Sequence, residues 1–165
     1  RSEIPNMAKN SITPVFRMAT ATDRPVLGAM IQEYYIYDGH NIDDAIIESS
    51  LDGALAENHH IRIWVIEVEG TTAGYLAVAI GFTIEAGGND GFLDELYLRE
   101  TFRGRGIGRQ AVEFAIAACP SLGVRRLSLE VERANTRAKR LYEDIGFTAH
   151  DRVLMSHWIK VAKET

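Results

Sequence analysis

Cysteine is almost missing from this sequence: Cys119 is the only one in 165 residues. No intrachain disulfide can form, so stability must come from packing, and a reducing cytoplasm is the expected setting. Cys119 closes an apolar run just before Pro120 and reads as a small buried hydrophobe rather than a nucleophile. Excess positive charge is also lacking. With 18 Lys and Arg against 23 Asp and Glu, the net charge is −5, which argues against a nucleic-acid partner, whose binder should be basic on at least one face. Long hydrophobic runs are absent too, so no membrane span and no signal-peptide core is expected. The five histidines carry no metal pattern: His59 and His60 are adjacent rather than four apart, and His40, His150 and His157 are isolated. No metal is expected. What remains is 46% hydrophobic and 25% charged residues, the make-up of one ordinary globular domain able to bury its own core. Residues 1–12 read as a leader or tag remnant and residues 13–165 as a single domain.

Periodicity divides that domain into elements. Pro14 to Met18 reads as an opening strand. Thr22-Asp23-Arg24-Pro25 then offers a capping side chain and a first-turn proline, starting a helix through Leu27, Met30, Ile31, Tyr34 and Tyr35 that ends at Gly39. A second helix is predicted from Asp43 to Asn58. Ile61–Val68 and Gly74–Phe82 are β-rich runs joined by a turn signal, hence a hairpin. A glycine-rich loop over 87–91 leads to a strand from Phe92 to Leu98. A helix over Ile107–Ala118, a strand over Leu127–Val131, a helix over Thr136–Ile145 stopped by Gly146, and a last strand over Arg152–Ile159 complete the order. Such an order is a mixed α/β domain around a central sheet.

Chemistry concentrates between Leu93 and Arg109. A strand ends near Leu98, a short loop follows, and a helix begins near Ile107. Amides at a helix N-terminus lack internal partners and sit at the positive end of its dipole. Gly104, Gly106 and Gly108 let main chain approach a phosphate, while Arg103, Arg105 and Arg109 add charge, so the segment predicts a pyrophosphate cradle. No Gly-Lys-Ser/Thr follows, which excludes a P-loop. Arg109 stands where the dinucleotide fingerprint needs its last glycine.

The pattern Arg103-x-x-Gly106-x-Gly108 resembles the loop of the GCN5-related N-acetyltransferase (GNAT) superfamily. Asn135-x-x-Ala138-x-x-x-Tyr142-x-x-x-Gly146-Phe147 resembles that superfamily's later motif, at the expected separation. The resemblance implies an α/β (α+β) acyl-CoA N-acyltransferase fold, a mixed and mostly antiparallel sheet flanked by helices. It further implies acetyl-CoA as co-substrate and direct attack by an amine in a ternary complex. Backbone contacts to the coenzyme are implied for Leu96, Tyr97 and Leu98, and phosphate contacts for Arg103, Gly104, Arg105, Gly106, Ile107, Gly108 and Arg109. Tyr142 matches the family's tyrosine near the sulfur, as general acid, although spacing alone also fits the apolar stripe of its helix. Asn135 is either a coenzyme contact or a helix N-cap. The resemblance makes Glu95, just before Leu96, the preferred general base, with Asp94 the alternative; neighbours on a regular strand face opposite ways, so only one of the two is expected to reach the acceptor cleft. Tyr34, Tyr35 and Asp38 are expected to wall the acceptor pocket, together with Asp94; aromatic faces beside a carboxylate suit a cationic amine.

Thr83 to Leu98, with its glycine-rich loop and Asp-Glu pair, resembles the small-amine and polyamine acetyltransferases of the superfamily, which implies a small amine or a protein amine as acceptor, with a diamine or polyamine the leading choice. A homodimer is the expected assembly. The rival reading is a non-catalytic acyl-CoA-binding module with the same fold, which would bind the coenzyme and release no thiol.

Overall fold

A computed structural model describes residues 12–159. The leader expected over residues 1–12 lies outside the described residues except for Ile12, which packs against the core and whose carbonyl accepts a bond from Gln110 Nε2 at 3.1 Å. The elements are β1 (Val15–Met18), α1 (Arg24–Tyr37), α2 (Asp44–Leu55), β2 (Ile61–Val68), β3 (Thr71–Thr83), β4 (Gly88–Leu98), α3 (Ile107–Ala118), β5 (Val124–Leu129) and α4 (Thr136–Ile145). The five strands form one sheet in the order β1-β2-β3-β4-β5. Pairing is antiparallel except between β4 and β5, which are parallel.

Alternation along β2 shows why two helical layers are needed. Trp64, Ile66 and Val68 face a core shared with Ile107, Ala111, Val112 and Ala115 of α3. Ile63 and Val65 face a second core shared with Leu27, Met30 and Ile31 of α1 and with Ile47 and Leu51 of α2. A strand with apolar residues on both faces must be covered on both. Phe114 of α3 stacks on Phe16 of β1, with ring centroids 4.5 Å apart, so the helix also holds the outermost strand.

Three expectations are corrected. Of the glycine-rich loop expected over 87–91, only Gly87 lies in a turn, because β4 begins at Gly88 and pairs on both sides. Gly91 is needed there: a Cβ would come within 2.9 Å of Val124 Cγ1 and 3.1 Å of Leu127 Cδ1 on β5. The strand after α3 runs over 124–129 rather than 127–131. The run Arg152–Ile159 is extended and exposed but joins no sheet among the described residues. Its side chains have the composition of a strand, without a pairing partner among the described residues.

Two close approaches fix the register near the end of β4. Gly74 of β3 lies so near β4 that a Cβ would fall on the carbonyl oxygen of Tyr97. Glu33 of α1 accepts from Tyr97 Oη at 3.0 Å and from Arg99 Nη2 at 3.1 Å, tying the helix to the strand end.

At the start of α1, Asp23 is buried and binds Arg17 through both carboxylate oxygens, at 2.9 and 2.8 Å, and accepts the Thr20 N–H at 2.8 Å. The bond from Arg17 chiefly holds the carboxyl down from 3.8 to about 2. A depressed carboxylate stabilises the fold fully above its ordinary range, and the contribution is lost as pH falls toward the folded value. Asp23→Ala should cost about 2 kcal/mol, less than a fully buried pair because Arg17 is partly exposed. Urea unfolding should show the gap to wild type near neutral pH and its narrowing as pH is lowered toward about 2.

Candidate functional site

β4 breaks alternation at the Asp94-Glu95 pair. Val78 of β3 pairs with Leu93 and Ala77 pairs with Glu95, leaving Asp94 as an extra residue in a β-bulge. Leu93 and Leu96 both pack on the α3 side although they are three apart in sequence. The two residues between them must therefore share the opposite face, the face of α1. The expectation that Asp94 and Glu95 face opposite sides of the strand is corrected by this bulge.

Both carboxyls titrate above their ordinary range, chiefly because surrounding protein displaces water from the charged form. The charge of Asp94 raises Glu95 further. Opposing this, Tyr75 Oη donates to Glu95 Oε2 at 2.6 Å and stabilises the carboxylate. No cationic side chain contributes to either shift. Tyr75 is buried, and its own hydroxyl is pushed far up by burial and by Glu95, so it remains a donor. Its place in the apolar middle of β3 gave no sequence signal for this role; only the pairing of β3 with β4 reveals it.

Tyr34 and Tyr35 project from α1 over these carboxylates. Burial first, then the charges of Asp38, Glu95 and Asp94 and the hydroxyl of Tyr142, raise the Tyr34 hydroxyl. Tyr35 is pushed up to about 12 by burial and by Glu95. Asp38 stands at the exposed end of α1 with His40 Nδ1 3.1 Å from its carboxylate. Tyr142 is half-buried on α4, with its ring edge toward Phe147 at a centroid distance of 6.0 Å. Burial raises its hydroxyl and keeps it protonated.

An open seam lies beside this cluster. β5 pairs with β4 only from Asn89 to Leu93, so Asp94–Leu98 has no strand neighbour on that side among the described residues. Arg99 N–H donates to Ala73 O of β3 at 2.9 Å. Main-chain groups alternate along a strand, so those of Leu96 and Leu98 point into the seam while those of Tyr97 point to β3. The tyrosine ring packs on the α1 side instead.

Among the described residues, the amides of the loop before α3 find no main-chain partner from Gly104 to Arg109. Gly104 and Gly106 have φ of +71° and +79°, a left-handed backbone that favours glycine, and nothing lies within 4 Å of a Cβ built at either. The arginines are arranged differently from the sequence expectation. Arg103 Nε donates to Leu98 O at 2.7 Å, and its guanidinium lies 4.0 Å from the Tyr37 ring centroid. Arg109 is engaged with Glu113 and Asp144, while Arg105 lies over Phe102 at 5.9 Å. Ile107 is buried beneath this loop, and Gly108 lies against Leu98. Asn135 caps α4, its Oδ1 accepting from Ala138 N–H at 3.1 Å. Cys119 is buried, and its thiol donates to Ala115 O at 3.2 Å. Among the described residues no group of three or more His, Cys, Asp or Glu is placed to hold a metal, and no helix is long and apolar enough to cross a membrane.

Comparison with known proteins agrees with this geometry. The sequence profile described as the Acetyltransferase (GNAT) family matches residues 28–147. The uncharacterized N-acetyltransferase YycN of Bacillus subtilis is 30% identical over 118 residues, covering 71% of this chain and 74% of that protein. An integron cassette protein from the mobile metagenome of Cole Harbour salt marsh superposes with a TM-score of 0.78 at 28% identity, covering 89% and 91% of the two chains. A protein of Clostridium acetobutylicum described as a predicted acetyltransferase and solved with acetyl-CoA shares the fold, with a TM-score of 0.73 at 20% identity over 88% of this chain and 96% of its own.

Because the Tyr75 hydroxyl stabilises ionised Glu95, Tyr75→Phe should raise the Glu95 pKa above its already elevated wild-type value. Carboxyl-resolved NMR titration measures this directly; a pKa that falls or stays fixed would contradict the assigned contact.

Proposed function

The chain belongs to the acetyltransferase (GNAT) family, and on that premise we propose that it transfers the acetyl group of acetyl-CoA to a primary amine of a small cationic acceptor, by direct attack in a ternary complex. The observation that carries the acceptor reading is the pair of uncompensated carboxylates, Asp94 and Glu95, turned to one face under Tyr34 and Tyr35. The fit to the co-substrate rests on the unpaired amides over 104–109 and on the open edge of β4 beside the carboxylates. The acetyl-CoA held by the Clostridium acetobutylicum protein of the same fold supports that choice. The single cysteine is in keeping with a cytoplasmic setting.

Acetyl-CoA supplies an activated acetyl carbon and a thiol leaving group. The chain's own groups account for the rest. Amides over 104–109, at the positive end of α3, hold a diphosphate. The N–H of Leu98 and the main chain of Leu96 line the seam, where a donor stabilises charge that grows on the thioester oxygen. An acceptor ammonium must lose a proton before its nitrogen can attack. Glu95 accepts it, and its elevated pKa brings it nearer the amine's own range than an exposed carboxylate would be. Tyr142 donates a proton to the departing sulfur; a phenol with pKa about 10 stays protonated where a thiol of about 8.5 is leaving. Asp94 and Asp38 remain to neutralise a second positive charge, which favours a diamine or polyamine. Asn135 acts as the cap of α4 and so positions Tyr142, while Arg103 positions the end of β4 through the Leu98 carbonyl.

A thiol-release assay across an amine panel tests the whole reading, with diamines expected to outperform monoamines of equal length. Tight acetyl-CoA binding without release on any amine would instead identify a binding module. Tyr142→Phe should lower kcat by about 10²-fold while calorimetry shows unchanged acetyl-CoA affinity. Glu95→Gln should lower kcat similarly and remove the acidic limb of the pH profile. Asp94→Asn should raise KM for a diamine more than for a monoamine; equal effects would remove its assignment to the second charge.

A further inference from the structure

The last turn of α1 is held to the end of β4 at two neighbouring points. Glu33 and Tyr37 stand four residues apart and so share one face of the helix. Glu33 accepts from Tyr97 Oη at 3.0 Å and from Arg99 Nη2 at 3.1 Å, groups at the end of the strand. Tyr37 instead meets Arg103, which opens the glycine loop: the guanidinium lies 4.0 Å from its ring centroid. The same guanidinium lies 5.5 Å from the Tyr97 ring centroid, and its Nε donates to Leu98 O at 2.7 Å. One cation therefore joins the strand end, the loop and the helix. A planar guanidinium can give its edge to a carbonyl and its face to a ring at once, which an ammonium cannot.

What Tyr37 holds is the turn that carries the acceptor wall. Tyr34 and Tyr35 precede it, and Asp38 follows. The turn closes through three main-chain bonds: Asp38 N–H to Tyr34 O at 2.9 Å, Gly39 N–H to Ile36 O at 3.1 Å and His40 N–H to Tyr35 O at 2.8 Å. Gly39 leaves the helix with φ of +75°. A helix end built this way belongs to the parts of a fold that open most readily, and Tyr37 itself is 68% exposed. The order of the turn therefore follows how firmly Arg103 is held.

Arg103 is held on its other side by the segment that faces the co-substrate. The Leu98 carbonyl anchors Arg103 while the Leu98 N–H lines the seam, and the loop amides begin at the next residue. We propose that Tyr37 is a positioning residue that carries coenzyme occupancy to the acceptor wall. A coenzyme seated in the seam and loop fixes residues 98–103, and the stacked ring passes that order to the last turn of α1. An acceptor then meets a wall already ordered and binds more tightly, with no displacement of either element. Linkage requires the acceptor to raise coenzyme affinity by the same factor. The inference rests on the co-substrate reading above and adds to it a residue outside both motifs.

Hydrogen exchange at the amides of Asp38, Gly39 and His40 tests the transmission without an acceptor. It is read by NMR on the full chain, with and without saturating coenzyme A. In the wild type, coenzyme A should slow these amides by about tenfold, within the usual range of coupling between sites. Tyr37→Leu keeps apolar bulk but removes the π face; calorimetry should show coenzyme A affinity unchanged while the slowing disappears. Tyr37→Phe keeps the face and should restore it. Slowing that persists in Tyr37→Leu, or that is lost in Tyr37→Phe, overturns the proposal. So does a wild type that binds coenzyme A with these amides unchanged, or a Tyr37→Leu chain that no longer binds it, which would make the ring part of the coenzyme site. No heat on adding coenzyme A to the wild type removes the co-substrate reading itself, and this inference with it.

Discussion

The structure turns on the extra residue in β4. Because Leu93 and Leu96 both insert into the core against α3, the chain between them carries two side chains to the opposite face. Neither carboxylate is there by local preference; both are placed by leucines that bury on the far side of the sheet. The same point ends the pairing with β5, which follows β4 as far as Leu93 and no further. One irregularity therefore concentrates negative charge on one face and frees main-chain groups along the adjoining edge. A bulge raises local twist, which carries β4 away from its parallel neighbour at this position.

Two arginines stabilise that arrangement from outside it. Arg99 binds Glu33 and so fastens α1, which carries Tyr34 and Tyr35, to the end of β4. Arg103 reaches back to the Leu98 carbonyl and lies over Tyr37 at the last turn of α1. The aromatic wall and the glycine loop thus share an anchor. Positive charge near the site is used to hold its parts together, and the space under Tyr34 remains acidic.

Much of this was legible in the sequence where one element decides the outcome. β2, α1, α3 and α4 follow from periodicity, and the two motifs identify the fold together with the loop. What escaped depends on two strands at once. Alternation put Asp94 and Glu95 on opposite faces, since a bulge is defined by the pairing of β4 with β3 and leaves little mark on β4 alone. The glycines at 88–91 resemble a loop until the side chains of β5 are seen pressing on them. Arg103 belongs to the motif, yet its contacts come from Tyr37 and Leu98, groups that no spacing rule links to it. The strand expected over residues 152–159 is not formed among the described residues, because apolar composition alone supplies no pairing partner.

The approach of β3 to β4 at Gly74 bears on how this gene can vary. Every missense change at that codon adds a Cβ where the Tyr97 carbonyl already stands, so none is accommodated unless the two strands move apart. Moving them would displace Tyr97, then Arg99 and α1, and with them the carboxylates two and three residues upstream of Tyr97. A position with no side chain and no chemistry of its own thereby becomes one at which heredity has no latitude.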